Sequence, residues 1–396
     1  MRIAIVSSEF VHNKDGGLAN YTYRLALYLK KLGHEPIVVV PENRTEQTIF
    51  DNIDLHFVEF KITNSSRKWL VIPPKRPTTY EIFEQRSKQV NLYLKQLNVD
   101  LVQYAHLGGI GKFRLPNVPS VIRLSSNTRM CFMNGGYGES KEQMEQQERI
   151  EFESIKIADA VFGPSNAIAG ITEDQTGVSV RVIETPYQEE IIDEDYTVYE
   201  ELNINRYVLF FGSLVQLKGI DIIANVLEEF LTNNDDLHYV FVGKSIPRRD
   251  GVCVVELIKN SAGNCVDRVH FTGNLNQAQL KPFIRNAETI TLPSLVDNFP
   301  NACIEAMALG KCVIGTYNNG FEQLIEDEVS GFLCKPGDSK ELLKSLEKSI
   351  NISEQAKLEM SRLAIERIQQ LRPERLINQL VSFYKETIEK HKKCAE

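Results

Sequence analysis

Residues 289–316, "TITLPSLVDNFPNACIEAMALGKCVIGT", decide how the chain folds. "TITLPS" is apolar and β-branched, and reads as a strand. "LVDNFPN" must be loop, because Pro300 has no N–H for a ladder and is excluded from a helix interior. "ACIEAMAL" then reads as a helix with Asn301 as its expected cap, and "KCVIGT" as another strand. Strand, loop, helix and strand in succession are the alternation of a parallel α/β sheet. Asp297 falls where the first strand opens into loop. Glu305 falls about one turn into the helix, opposite Ile304, with the N–H groups of Asn298, Phe299 and Asn301 between the two acids. Carboxylates accept from hydroxyls and a helix N-terminus receives phosphate, so the stretch can clamp a polyhydroxyl group joined to a phosphate. A turn aspartate and a surface salt bridge fit the same residues equally well.

The alternation runs along the whole chain. "IAIV" at the start is a short apolar run, as expected of a strand buried on both faces. A loop leads into a helix with Leu18, Leu25, Leu29 and Leu32 at helical spacing, ended by Gly33. "HEPIVVV" follows as a strand, then "LHFVEF", a helix over 79–97, "DLVQYA", "SVIRLS", a helix near 140–158, "DAVFGPS" and "VRVIE". The pattern breaks in the acidic stretch 185–205 and restarts at "RYVLFFGS", continuing through "HYVFVG" and "RVHFTG" to the quoted segment. A chain of 396 residues is too long for one ordinary core. The expected division is an N-terminal domain over 1–187, a linker over 188–205, a second domain over 206–372, and a C-terminal helix over 373–396 crossing back to the first. The fold class is α/β: two Rossmann-like domains facing across a deep cleft, with ligands at the carboxyl ends of the strands.

The net charge of -8 argues against nonspecific nucleic-acid binding. No apolar run approaches the roughly 18 residues of a membrane span. The first strand begins at Arg2 and leaves no room for a signal peptide, so a cytoplasmic location is expected. The seven cysteines are odd in number and show no CxxC pair, which suits reduced thiols.

Three further places carry chemistry. Gly16 and Gly17 precede the first helix and would expose backbone N–H groups at its positive end; a phosphate site and a plain tight turn both fit. In "FFGSLVQLKG" a strand ends at Gly212 and Ser213, and Lys218 lies at the start of the next helix, where its ammonium can sit over a pyrophosphate or simply face solvent. Gly320 and Glu322 follow another strand end, so Glu322 also points at the mouth of the sheet.

Taken together, Gly16–Gly17, Gly212 with Lys218–Gly219, Asp297 and Glu305 across seven residues, Gly320 with Glu322, and "SGFL" resemble the retaining glycosyltransferases of family 4, which have the GT-B architecture. "IADAVFGPSNAIA" (157–169) is similar to the family's strand and helix before the linker. The resemblance implies a nucleotide diphosphate sugar donor (a UDP- or GDP-sugar) and a glycan or lipid-linked acceptor. It implies that Gly16 and Gly17 line the diphosphate and that Lys218 contacts the phosphates. Glu305 would hold the ribose hydroxyls and Asp297 the donor sugar. The backbone of Asn298, Phe299, Pro300 and Asn301 would meet sugar or phosphate, and Glu322 would order this wall. His106 in "VQYAHLGGIG" resembles a family histidine that reaches the sugar, which makes Asp297, Lys218 and His106 the catalytic candidates.

Two departures matter. The family's Arg five residues before the lysine is Ser213 here; either Lys244, Arg248 or Arg249, or Arg123 or Arg129 of the other domain, supplies that cation, or donor binding is weak or the donor unusual. Asp297 replaces a glutamate and is one methylene shorter. Retaining transfer by this fold needs no protein nucleophile, since the donor's own phosphate can take the acceptor proton. No HExxH and no Asp-x-Asp of the metal-dependent glycosyltransferase type is expected, and neither a metal nor another cofactor. Residues 61–77, basic and with the chain's only Trp, fit a contact with an anionic membrane or lipid-linked acceptor, or a solvated loop. A sugar-nucleotide epimerase or hydrolase on the same fold, or a non-catalytic sugar-nucleotide-binding subunit, are the alternatives.

Overall fold

The computed structural model describes residues 1–12, 16–62, 76–136 and 140–395. They form two compact units. One comprises Met1–Phe132, Gly138–Pro186 and Pro373–Glu396, the other Met133–Tyr137 and Tyr187–Arg372.

In the first unit the chain runs β1 (Arg2–Val6), α1 (Gly17–Lys31), β2 (Glu35–Glu42), β3 (Glu46–Phe50), β4 (Ile53–Glu59), α2 (Thr79–Leu94), β5 (Leu101–Ala105), β6 (Ser120–Arg123), α3 (Thr128–Met133), α4 (Lys141–Ile157), β7 (Ala160–Gly163), α5 (Asn166–Thr176) and β8 (Val180–Val182). The strands make one sheet in the order β3-β4-β2-β1-β5-β6-β7-β8, parallel except where β3 pairs with β4. The central strands are covered on both faces, which is why they read as unbroken apolar runs. On one face Tyr21, Leu25, Ala26 and Leu29 of α1 share a core with Ile377, Leu380, Val381, Phe383 and Tyr384 near the C-terminus. On the other, Val90 and Leu94 of α2, Ile155 of α4 and Ile168 of α5 close the core. The β3–β4 hairpin was not expected. Asp51 and Asn52 both adopt left-handed φ, 49° and 62°, the requirement of a two-residue hairpin turn whose twist matches the strands. β3 is an edge strand with mostly exposed side chains, so it lacks a strand's burial pattern.

The second unit continues with α6 (Thr197–Leu202), β9 (Tyr207–Phe211), α7 (Ile220–Asn233), β10 (His238–Val242), α8 (Val254–Ser261), β11 (Val269–Gly273), α9 (Gln277–Asn286), β12 (Thr289–Thr291), α10 (Asn301–Ala308), β13 (Val313–Thr316), β14 (Phe332–Cys334), α11 (Ser339–Asn351) and α12 (Glu354–Gln369). Its six strands are all parallel, in the order β11-β10-β9-β12-β13-β14. The segment 188–205, read as irregular, contains α6 and is fastened along α9: Lys281 pairs with Glu189 at 3.3 Å, Arg285 with Glu194 at 2.6 Å, and the Asp195 N–H donates to the Ala278 carbonyl at 3.0 Å. The final helix, α13 (Pro373–Ala395), returns to the first unit.

In each sheet the second strand in sequence lies on one side of the first, and a later strand starts the opposite half. The order reverses between β1 and β5 in one unit and between β9 and β12 in the other. In open parallel sheets ligands sit at the carboxyl ends of the strands at this reversal.

Candidate functional site

The β9/β12 reversal brings together residues far apart in sequence. After β9 the chain passes Gly212 and Ser213, turns through Gln216–Lys218, and enters α7 at Gly219. After β12 it passes Ser294 and Asp297 and enters α10. The two loops are zipped by Leu295 N–H donating to the Leu217 carbonyl at 2.9 Å. Gly219 makes this possible: its φ is 77°, and a Cβ there would lie 1.9 Å from the Pro293 carbonyl oxygen. As a result the Lys218 ammonium donates to Asp297 Oδ2. Lys218 is thus the last residue of a tight turn before α7 rather than part of the helix.

Asp297 is held on both backbone sides. Its N–H donates to Asn319 Oδ1 at 2.9 Å, and its carbonyl accepts from Gly320 N–H at 2.7 Å. Gly320 is required here too, because a Cβ would meet the Asn298 carbonyl oxygen at 2.1 Å. Asn298, Phe299 and Pro300 are buried beneath this contact, while Glu305 is half-buried one turn along α10. Glu322 is exposed, and its Oε2 accepts from Asn318 N–H at 2.9 Å, so it serves the neighbouring turn.

The start of α10 corrects the expected cap. Pro300, with φ −72°, occupies the N-cap and Asn301 is the first helical residue; no side chain caps the helix. The fixed proline φ ends the loop one residue earlier than the polar Asn suggested. Pro300 itself offers no side-chain acceptor to the N–H groups of the first turn. α1, entered at Gly16, and α7, entered at Gly219, also start without a side-chain cap. Away from the reversals, α2, α4, α5, α9, α11 and α12 are capped by Thr78, Ser140, Ser165, Asn276, Asp338 and Ser353; α6 and α8 are not capped. The open helix starts at the reversals are positive ends suited to an anion.

In the first unit, Gly16 and Gly17 follow β1 and His106 follows β5, the two strands at the reversal. His106 is buried. Its Nδ1 accepts from Ser125 N–H at 3.2 Å, which leaves the proton on Nε2, and Nε2 has no partner among the described residues. Burial, with the Arg123 charge adding to it, pushes its pKa down to about 4, so the ring is a neutral donor at pH 7.

Behind His106, the carboxylate of Glu151 was missed in the sequence because "ERIEFES" reads as a charged helix face. It accepts from Gly108 N–H at 2.9 Å, from Gln147 at 2.8 Å and from Thr128 Oγ1 at 2.7 Å. It thereby joins the His106 loop to the start of α3. Burial pushes its pKa from 4.5 up to about 7, against these donors. Between those values the folded state holds a proton that the unfolded state has lost, so this group makes stability fall as pH rises from about 4.5 to 7. Glu151→Gln is expected to remove that slope, a difference from wild type changing by about 3 kcal/mol across the window. Denaturant melts at pH 5 to 8 measure it, and a pH-independent difference would show that the carboxyl titrates normally.

The candidate cations separate clearly. Arg248 is neutralised by Asp221 at 2.8 Å and Asp250 at 3.1 Å, and Arg249 donates to the Gly136 carbonyl at 2.6 Å. In the first unit Arg129 is paired with Glu148, and Arg123 is buried with its guanidinium 3.5 Å from the Tyr21 ring centroid. Lys244 is exposed and enters no ion pair among the described residues; its carbonyl accepts from Leu214 N–H at 2.9 Å, placing it on the loop beside Ser213. The tripeptide Asp193-Glu194-Asp195 does have Asp-x-Asp spacing, contrary to expectation. It lies away from either reversal, with Glu194 on Arg285 and Asp195 on Thr197. Lys68, Trp69 and Lys75 fall outside the described residues. No described helix is long and apolar enough to cross a membrane.

Two doubly wound sheets, each with an uncapped helix start at its reversal, define a two-unit Rossmann-like α/β protein of GT-B type. Comparison with known proteins gives the family. The model for Glycosyltransferase Family 4 matches residues 15–190 and that for Glycosyl transferases group 1 matches residues 194–366. The chain belongs to this glycosyltransferase family. A GDP-mannose-dependent alpha-mannosyltransferase of Corynebacterium glutamicum is 22% identical over 406 residues, covering 98% of this chain and 89% of its own. Among solved structures, sucrose-phosphate synthase from Thermosynechococcus elongatus has a TM-score of 0.77 at 19% identity, covering 98% of this chain and 99% of its own. The Anabaena protein HepE, in complex with UDP, has a TM-score of 0.67 at 18% identity, covering 98% and 100%. These likenesses establish the GT-B fold.

Proposed function

We propose that the protein is a retaining, metal-independent hexosyltransferase that moves a sugar from a nucleoside diphosphate sugar to a hydroxyl of a glycan or lipid-linked acceptor, as in surface polysaccharide or glycoconjugate synthesis. The observation that carries this reading is the uncapped start of α10 beside the Lys218–Asp297 pair. Helix N–H groups and an ammonium suit a diphosphate, and Asp297 and Glu305 suit the hydroxyls of the sugar and ribose. The HepE complex with UDP and the name of the Corynebacterium enzyme support UDP or GDP as the carrier.

In this reading Lys218, the first turn of α10 and Lys244 beside Ser213 stabilise the charge that builds on the departing diphosphate. At the reversal of the first unit, Gly16 and Gly17 leave backbone N–H groups suited to an anion. The β-phosphate takes the acceptor proton as the bond to the anomeric carbon breaks, on the face the acceptor enters, so configuration is kept. His106, as a neutral donor, hydrogen-bonds a sugar hydroxyl. The positive field comes from the chain itself, which is why no metal is required.

Thermal shift against a panel of UDP- and GDP-sugars is the test, followed by transfer assays with and without EDTA. We expect stabilisation by one sugar nucleotide of several degrees and unchanged rates with EDTA. No stabilisation by any member would remove the donor assignment, and loss of rate with EDTA would remove metal independence.

A further inference from the structure

We propose that Asn319 is a positioning residue for recognition of the donor sugar: it sets the backbone of Asp297, and through it the place of the shorter carboxylate. The inference rests on the donor-site reading above and deepens it. Asn319 is 4% exposed, and one amide group ties three pieces of chain together. Its Oδ1 accepts the Asp297 N–H at 2.9 Å. Its Nδ2 donates to Thr316 Oγ1 at 2.8 Å and approaches the Ser294 carbonyl at 3.3 Å, while Thr316 Oγ1 itself donates to the Ser294 carbonyl at 2.8 Å. Ser294 follows β12 and Thr316 ends β13, so the amide references Asp297 to two adjacent strands.

The chemistry selects this side chain. The site needs an acceptor and donors on one planar group within reach of a single turn, and asparagine supplies both. Glu322 acts at the outer end of the same chain of contacts. Its carboxylate holds the N–H of Asn318, which adopts a left-handed φ of 55°, and that conformation delivers Asn319 into the buried position. Gly320 N–H then closes the bracket on the Asp297 carbonyl at 2.7 Å. Asp297 is fixed at N–H, carbonyl and carboxylate by Asn319, Gly320 and Lys218. Only the last of these meets the diphosphate in our reading, so the bracket acts chiefly on the sugar and reaches the nucleotide only through the hold of Asp297 on Lys218.

Asn319→Ala is the direct test, measured as kcat for transfer and as the calorimetric Kd of UDP or GDP, whichever the panel selects. We expect kcat to fall about tenfold, the nucleotide Kd to stay within about threefold, and the Asn319→Ala/Asp297→Asn double variant to be no more than about twofold slower than Asp297→Asn alone. Where loss of the buried amide prevents folding, Glu322→Ala loosens the same turn from an exposed side chain and should give a smaller fall with the same non-additivity. Additive effects, or nucleotide affinity falling by the same factor as kcat, overturn the inference. Transfer unchanged in Asp297→Asn alone overturns the donor-site reading and this inference with it, which separates the two failures.

Discussion

Replacing Lys218 with alanine is expected to lower kcat/KM for transfer by roughly 100- to 1000-fold, the range found when one preorganised donor is removed from a developing anion. Lys218 sits in a turn whose position is set by backbone contacts, Leu217 to Leu295 and Gly219 against Pro293, and not by its own side chain. The Lys218 side chain is 35% exposed, so its ion pair with Asp297 adds little to stability after solvent screening. The variant should therefore melt within a few degrees of wild type. The loss should appear mainly in kcat, because the charge it meets grows as the sugar leaves, and UDP or GDP should bind less tightly by a smaller factor. Transfer near the wild-type rate in a well-folded variant would mean that the phosphate charge is met elsewhere, with Lys244 the next residue to replace.

The central strands were legible because strands covered on both faces need continuous apolar runs, and "IAIV", "YVLFF" and "HYVFV" show them. β3 was not, since an exposed edge strand has no buried face to pattern; its turn residues Asp51 and Asn52 were the available signal. Asp297 and Glu305 could be singled out from the loop-to-helix change around Pro300. The pairing of Asp297 with Lys218 could not, because it depends on two strands meeting at a reversal 79 residues apart in sequence. Charge is visible in a sequence but its neutralisation is not. Lys244, Arg248 and Arg129 all looked available as cations; Arg248 and Arg129 are each held by acids, while Lys244 enters no ion pair among the described residues. Asn319 and Glu151 carried no signal of their own: an amide in a turn and an acid in a charged helix are ordinary until burial shows what they hold together.

Asp297→Asn should separate two properties that usually move together: transfer should fall about 10- to 100-fold, while UDP or GDP should bind about two- to tenfold more tightly. The first follows from the sugar. A carboxylate accepting from a hydroxyl is a charged hydrogen bond, about 1.5–3 kcal/mol, and the amide keeps the shape but not the charge. The second follows from the ion pair in which Asp297 is the counter-ion of Lys218. An incoming diphosphate must take the ammonium from this carboxylate and lie near its negative charge. Removing the charge lifts both costs, and for a pair this exposed their sum is of the order of 1 kcal/mol. In the proposed reading, the same competition would favour release of the nucleoside diphosphate after transfer, when no sugar remains to occupy Asp297 and the carboxylate can reclaim Lys218. Calorimetry of UDP or GDP against wild type and variant, set beside single-turnover transfer rates, resolves the two effects. Weaker nucleotide binding in the variant would show that Asp297 assists the diphosphate instead of competing with it; a normal transfer rate would show that the sugar is read by other groups.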